Sequence, residues 1–396
     1  MSDSTQFIRD RLTWLAYSML GYLGLMQALL GPILPGLARD LHLDYTQSSL
    51  ISTAVALGMI LAGMATGSLA KHFTRAQLLW GSAVGITGTV ALLAFAHSYN
   101  FILFAFLGMG AVGTITQVMV QAILSDRHGE QRPVALSEAN VAASLFGMAT
   151  PLAISTMQKA GLDWRSTWML FSPVLVLILL AFRGQVIPTK IAPMVVTKEA
   201  PQSHNKMPTA FWGHLLVLLF IVSTEMSLGV WTASFLIAKF GMEQAAAVLA
   251  FSLYPASQVL ARFAGSQLAR RFSASHLQTA SFIIAIIGAP LLWLAPTIPL
   301  SLVGLFIAGV GVANLFPLTM STAVGVARYL PDVASARISM VVGLALLTAP
   351  FVLGRLADAF TLANAFGIVL VLLFIGLSIK LVLAATNKNT TVQVQE

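Results

Sequence analysis

Residues 68–78 read SLAKHFTRAQL, and 199 positions later residues 267–277 read QLARRFSASHL. Leu69, Ala70, Phe73 and Leu78 meet Leu268, Ala269, Phe272 and Leu277, while Lys71 and His72 meet Arg270 and Arg271. The same shift brings Pro151 onto Pro350 and Gly110 onto Gly309. One offset serving three separated places marks a duplicated chain. Both copies of the motif are short and basic, and both lie between long apolar runs. That context sets the class of the fold.

Of 396 residues, 57% are hydrophobic and only 9% are charged, with a mean hydropathy of +0.85. Soluble domains carry roughly 25% charged residues, so this chain cannot hide its apolar surface from water and reads as an integral membrane protein. A spanning helix needs roughly 20 apolar residues. Twelve stretches qualify: 12–37, 47–69, 77–97, 101–124, 134–158 and 167–183, then 210–237, 245–269, 277–295, 299–327, 334–356 and 363–385. We number them spans 1 to 12. None alternates, which excludes membrane strands. The expected fold is all-α, with two pseudo-symmetric six-helix bundles at 1–185 and 210–396. A cytoplasmic linker at 186–209, rich in Pro, Lys and polar residues, joins them.

The net charge of +8 would suggest nucleic acid in a soluble protein. Here the cations sit in short loops and report topology. With the N-terminus in the cytoplasm, only Arg39, Lys159, Arg165, Lys239 and Arg355 fall on the outer side and Arg262 falls inside a span. The other Lys and Arg residues all fall inside. This predicts a multi-pass plasma-membrane protein, of a bacterial inner membrane, with both termini cytoplasmic. The N-terminal residues lack a small-residue cleavage site and read as a tail leading into a retained first helix.

Absences narrow the function. No cysteine means no thiolate metal site and no cysteine nucleophile. HExxH, GxSxG and Walker patterns are missing, every Asp lies in a tail or loop or at a span end, and no nucleotide domain fits. The chain is therefore expected not to be an enzyme and to carry no cofactor or metal. Its expected partners are a lipid bilayer, protons and a small-molecule substrate, without nucleic acid, in a monomer.

Twelve spans, a central linker and the basic loop GSLAKHFTR after span 2 together resemble the major facilitator superfamily. So do GLDWRSTWML before span 6, GMATP in span 5, GVGVANLFP in span 10 and APFVLGRLAD in span 11. The resemblance covers nearly the whole chain and implies a transporter fold. Two family positions depart from the pattern. Lys71 stands where the loop usually has Asp, and FAFLGMGAVG in span 4 lacks an Arg before its glycines. TEMSLGVWTASFL, YPASQVLARFAGSQLARR and GVANLFP are most similar to the fucose-permease-like sugar branch, which often has Glu followed by Gly and Trp in span 7. The acidic residue of that branch in span 1 is replaced by Gln27.

Glu225, in IVSTEMSLGVW at 221–231, is the one carboxylate deep in a span. Charge at the bilayer centre costs about 2.5 kcal/mol or more, so an intramembrane carboxylate must be protonated, paired or facing water. We expect Glu225 to bind solute, to take up a proton, or to donate a hydrogen bond between helices. At 1.5 Å per residue, Glu225 lies roughly 22 Å into span 7 and Arg262 roughly 12 Å into span 8, which argues against pairing. The resemblance places spans 5 and 8 at the seam between the halves. It therefore suggests Glu138 with Arg262 or Arg270 as an inner gate, or as a static ion pair. Symmetry maps Glu138 onto Arg337, and Lys71 with Asp332 offers a charge-swapped latch at the other seam, or two solvated loop charges.

Polar residues at helical spacing add candidates for the solute. Span 4 carries Gly110, Thr114, Gln117 and Gln121, and span 8 carries Tyr254, Gln258 and Arg262. Asn140 in span 5, Asn314 in span 10 and Gln27 in span 1 join them. Tyr22 and Trp231 offer rings that could stack on a sugar, or ordinary packing. GPILP at 31–35 is expected to bend the outer end of span 1, because proline removes a backbone donor. The leading expectation is a secondary active transporter, proton-coupled through Glu225. It would carry a small hydrophilic solute, such as a sugar or polyol, by alternating access. The alternatives are a drug/proton antiporter and, more remotely, a non-transporting membrane receptor or an intramembrane enzyme.

Overall fold

The computed structural model describes residues 7–188, 207–269, 271–327 and 331–393. Twelve helical spans, long and apolar enough to cross a membrane, cover Arg11–Asp40, Tyr45–His72, Arg75–Ala94, Tyr99–His128, Val134–Lys159 and Trp164–Ala181 in the first part of the chain. In the second part they cover Thr209–Phe240, Gln244–Leu268, Ala274–Leu294, Ile298–Val326, Arg337–Phe360 and Leu362–Thr386. These are the twelve expected spans, with ends moved by a few residues. Most of the linker lies outside the described residues.

Spans 1, 8, 10 and 12 are broken, and proline explains the first three breaks. Span 1 is Arg11–Gln27 followed by Leu30–Asp40, span 8 is Gln244–Phe251 followed by Leu253–Leu268, and span 10 is Ile298–Val312 followed by Leu315–Val326. Pro32, Pro255 and Pro317 lack the N–H that would have bonded the carbonyls of Ala28, Phe251 and Ala313, four residues earlier. The helix yields where its ladder loses that bond. The bend expected from GPILP is therefore present, just ahead of the motif.

By contacts the chain divides into two compact units. One holds Met1–Leu43, Ala54–Val196 and Gln244–Leu249, and the other holds Asp44–Thr53, Thr197–Glu243 and Ala250–Glu396. The first turns of span 2 thus group with the second unit and those of span 8 with the first. Tyr45 and Gln244, which begin these turns, are related by the same offset of 199 that exposed the repeat.

Each unit is built around one helix. In span 1, 83% of the most apolar window is buried, and in span 7 the figure is 67%, against 22% in span 12. Spans 1 and 7 are therefore the cores, and span 12 turns most of its apolar surface outward, as suits a lipid solvent. Small residues allow the close packing that membrane helices need. The repeat-related glycines show it: a Cβ on Gly110 would strike the Val55 carbonyl, and one on Gly309 would strike Ser257 and Tyr254.

The N-terminal segment does more than lead into span 1. Asp10 caps that helix, accepting from the Thr13 amide at 2.9 Å and hydroxyl at 2.7 Å, and its other oxygen meets Arg127 at 2.7 Å. Arg11 donates to the carbonyls of Ala181 and Arg183 at 2.9 and 3.1 Å. Partial burial would raise the pKa of Asp10, but the Thr13 bonds and the Arg127 guanidinium outweigh it and hold the carboxyl below its ordinary value. A depressed folded-state pKa stabilises the structure above the unfolded-state value and loses that contribution as pH falls through the folded one. The protection of the amides at residues 10–13, relative to the intrinsic exchange rate at the same pH, is therefore expected to fall on acidification below about pH 4. Asp10→Asn should exchange faster already at pH 7, with no further step on acidification. Equal protection of the two proteins at pH 7 would count against the cap.

Candidate functional site

Glu225 sits on span 7 with three side chains of span 8 turned toward it. Gln258 Nε2 donates to Glu225 Oε1 at 3.2 Å, Arg262 Nη2 lies 3.5 Å from the same oxygen, and the Tyr254 hydroxyl reaches the Glu225 backbone carbonyl at 3.5 Å. Positions 254, 258 and 262 follow one face of the helix, so the stripe read from the sequence converges on a single residue, Gln258 and Arg262 on its carboxylate and Tyr254 on its backbone carbonyl.

The pairing with Arg262 corrects the depth count. That count compared Cα positions only. Side chains on a helix lean toward its N-terminus, and consecutive spans run in opposite directions, so Glu225 and Arg262 lean toward each other. The guanidinium also bridges onward: Arg262 Nε donates to the Ala313 carbonyl at 3.4 Å, the one freed by Pro317. Asn314 fixes the same break, its Nδ2 donating to the Ala261 carbonyl at 2.8 Å while Gly265 packs on its amide. Asn314 is thus a bracket between spans 8 and 10.

The site is half-open. The Glu225 side chain is 21% exposed and that of Arg262 43%. One turn on, a Cβ at Gly229 would meet nothing within 4 Å, so the Glu225 face has room beside it. A carboxylate, a guanidinium, an amide and a phenol gathered beside open space can exchange hydrogen bonds with a polar solute, and the carboxylate can hold a proton. Among the described residues no group of three His, Cys, Asp or Glu side chains could hold a metal.

Other expectations are redrawn. Tyr22 is 0% exposed, with its hydroxyl bonded to Thr87 and its ring edge-on to Phe171 at 5.7 Å. Trp231 is 1% exposed and edge-on to Tyr45 at 6.0 Å. Neither ring is placed to stack on a solute, because large aromatics bury the most area inside a bundle. Glu138 has partners in its own unit: Arg9 grips both oxygens at 2.8 and 2.5 Å, and the Tyr17 hydroxyl donates at 2.9 Å. This corrects the expected pairing with Arg262, and Arg270 lies outside the described residues. The N-terminal segment, read as a tail, supplies the cation.

Arg337 stacks over the Trp212 ring at 4.8 Å. Lys71 is exposed at the end of span 2, and the Asp332 side chain lies outside the described residues. In the first unit, Asn140 donates to the Leu136 carbonyl at 2.8 Å. Gln27 is exposed beside the break of span 1, Gln121 is exposed, and Gln117 is half-buried.

Sequence reading missed three polar contacts. One is the Asp10 and Arg9 network, signalled by an Asp directly before an apolar run. The second is Arg75, buried at the start of span 3 with Nη1 2.9 Å from Asp126. The capping box of Thr74 and Gln77 marks that helix start. The third is Asp358, which meets the start of span 2.

The family model for the Major Facilitator Superfamily matches residues 16–336. The chain belongs to that superfamily. It is a multi-pass membrane transporter by its twelve spans and its relatives. A Yersinia pestis MFS-type transporter is 25% identical over 88% of this chain and 90% of its own. Transporter y4wD of Sinorhizobium fredii is 29% identical over 40% of this chain, a stretch that spans 42% of that relative. Among solved structures, a bacterial homolog of the human lysosomal transporter Spinster, inward-facing and unoccupied, aligns with TM-score 0.78 at 14% identity, over 97% of this chain and 98% of its own. A D-xylose–proton symporter aligns with TM-score 0.73 at 12% identity, over 94% and 96%. The nucleoside transporter NupG aligns with TM-score 0.71 at 12% identity, over 96% and 100%. These likenesses establish the superfamily fold.

Proposed function

We propose that this transporter carries a small hydrophilic organic solute in symport with protons, by alternating access between its halves at 1–185 and 210–396. Glu225 is the proton-coupling residue. The observation that supports this most is the convergence of Tyr254, Gln258 and Arg262 on Glu225 inside a membrane span. An ion pair in the membrane is tolerated only while both charges are matched. Adding a proton to Glu225 weakens its hold on Arg262 and leaves Gln258 and the guanidinium as donors for solute oxygens. Proton and solute then favour the same state of the site, which is the thermodynamic content of coupling.

The amides favour a hydroxylated solute such as a sugar or polyol. Gln27, Gln117, Gln121 and Asn140 of the first unit belong to this proposal as solute contacts, as does the likeness of span 7 to the fucose-permease-like branch. The D-xylose and nucleoside proteins among the structural neighbours support the fold, not the substrate. The Lys and Arg distribution supports cytoplasmic termini and a bacterial inner membrane, and we take the working unit as a monomer. Lys71, Asp332 and Arg337 remain gating proposals.

Thermal stabilisation of the purified protein by a panel of polyols, sugars and lipophilic cations should select hydroxylated compounds, since a ligand of the folded state raises its stability. Stabilisation by lipophilic cations alone would favour antiport. In vesicles, an imposed pH gradient should drive uptake of the selected solute. Glu225→Gln should bind it and exchange it without responding to the gradient. Gradient-driven uptake in that variant would refute Glu225 as the coupling residue.

A further inference from the structure

The start of span 2 is held by a residue far along the chain. A helix leaves its first N–H groups without intrahelical acceptors. Here Asp44 takes one of them, the Gln47 amide at 2.6 Å. Two more go to Asp358 on span 11: the Tyr45 amide at 3.0 Å and the Thr46 amide at 2.8 Å, joined by the Thr46 hydroxyl at 2.5 Å. The negative charge also suits the positive end of the helix dipole. One turn before Asp358, Gly354 lets span 11 approach so closely that a Cβ there would strike the Tyr45 carbonyl and the Ser49 side chain. The Thr53 hydroxyl donates to the Leu347 carbonyl at 3.1 Å further along the same contact.

Span 2 is one uninterrupted helix without proline, yet its first turns group with the second unit and the remainder with the first. Movement of one unit relative to the other must bend this helix or release its beginning. With no proline to bend at, release is the easier course, and Asp358 is the group that must let go. Near this contact, Ser48 Oγ and Ser52 Oγ on span 2, and Trp231 Nε1 on the ring beside Tyr45, are buried with no hydrogen-bond partner among the described residues, a cost that offsets part of the gain from the bonds to Asp358.

The repeat marks this join as singular. At the offset of 199, Gln244 stands for Tyr45 and Lys159 for Asp358. There the start of span 8 is met by the Ser155 hydroxyl, donating to the Ala245 carbonyl at 2.7 Å, and the Gln244 side chain packs against Gly36. No carboxylate replaces Asp358 at that join among the described residues.

We propose that Asp358 is a gating residue, whose carboxylate grips the N-terminus of span 2 and whose release is a step of the transport cycle. This rests on alternating access, and it is independent of the identity of the solute and of Glu225. The chain has no cysteine, so a single introduced thiol reports directly. Ser49→Cys places it at a fully buried position against Gly354, and Ala83→Cys, buried in span 3, reports on global unfolding. Maleimide labelling of the purified protein in detergent should be slow at both sites. Asp358→Ala should accelerate labelling at Ser49→Cys about tenfold, the scale expected for losing a helix cap, without exposing Ala83→Cys. Gly354→Ala, which keeps the carboxylate but wedges the contact, should act in the same direction. Asp358→Asn, which keeps one acceptor, should fall between. Parental labelling rates in both Asp358→Ala and Gly354→Ala would overturn the proposal. If Asp358→Ala also exposes Ala83→Cys, the milder Thr46→Val decides: faster labelling at Ser49→Cys alone supports the grip, and an unchanged rate overturns it.

Discussion

Asn in place of Asp126 is expected to destabilise the first unit by about 3 kcal/mol, the scale for stripping one partner from a buried pair. The size follows from where Arg75 sits. Its side chain is 2% exposed, Nη1 lies 2.9 Å from Asp126, and Nε is buried with no hydrogen-bond partner among the described residues. The neutral amide leaves a guanidinium that neither water nor another carboxylate reaches. Thermal unfolding in detergent should show a lowered midpoint for Asp126→Asn. The paired replacement Arg75→Met with Asp126→Leu should recover most of the loss, because an apolar pair of similar volume has no charge to desolvate. A midpoint unchanged in the single variant would mean that water reaches Arg75 after all. Asp126 is itself part-exposed, which keeps the estimate at the low end of the range for sealed pairs.

Arg262→Gln is expected to lower uptake by at least about thirtyfold, the lower end of what truncating a hydrogen-bonded charge pair costs. Arg262→Lys should do little better. The guanidinium uses two nitrogens for two tasks, Nη2 toward Glu225 and Nε toward the Ala313 carbonyl. An ammonium is a single point of charge and cannot span both. Combined with Glu225→Gln, the loss should be far from additive, because residues sharing one contact couple in a double-mutant cycle. Thermal midpoints of the four proteins check the coupling and vesicle uptake checks the function. Parental uptake by Arg262→Lys would show that charge alone suffices and that the bridge to span 10 is idle.

Glu225 drew attention from the sequence because a carboxylate in an apolar run violates a rule that otherwise holds along the whole span. The stripe of Tyr254, Gln258 and Arg262 was legible for the same reason. Their union was not, since counting residues gives Cα depth and says nothing of the direction in which a side chain leans. Tyr22 and Trp231 show the converse error. An aromatic residue looks the same in a string of letters whether it lines a site or fills a core, and both fill cores here. Glu138 was expected to meet Arg262 or Arg270, but its cation is Arg9, which lay in a stretch too short and polar to predict as structured.

The sequence by itself determined the number of spans, their approximate ends, the duplication at an offset of 199 and the proline bend of span 1. Each of these depends on short-range physics: hydrocarbon thickness, backbone hydrogen bonding and the missing N–H of proline act within a single helix. Only the tertiary structure decided which charges meet. Glu225 with Arg262, Glu138 with Arg9, Arg75 with Asp126 and Asp358 with the start of span 2 are contacts between residues 37 to 313 positions apart. An ion pair depends on a few ångströms of side-chain reach, and that distance is set by how helices pack rather than by where they lie along the chain.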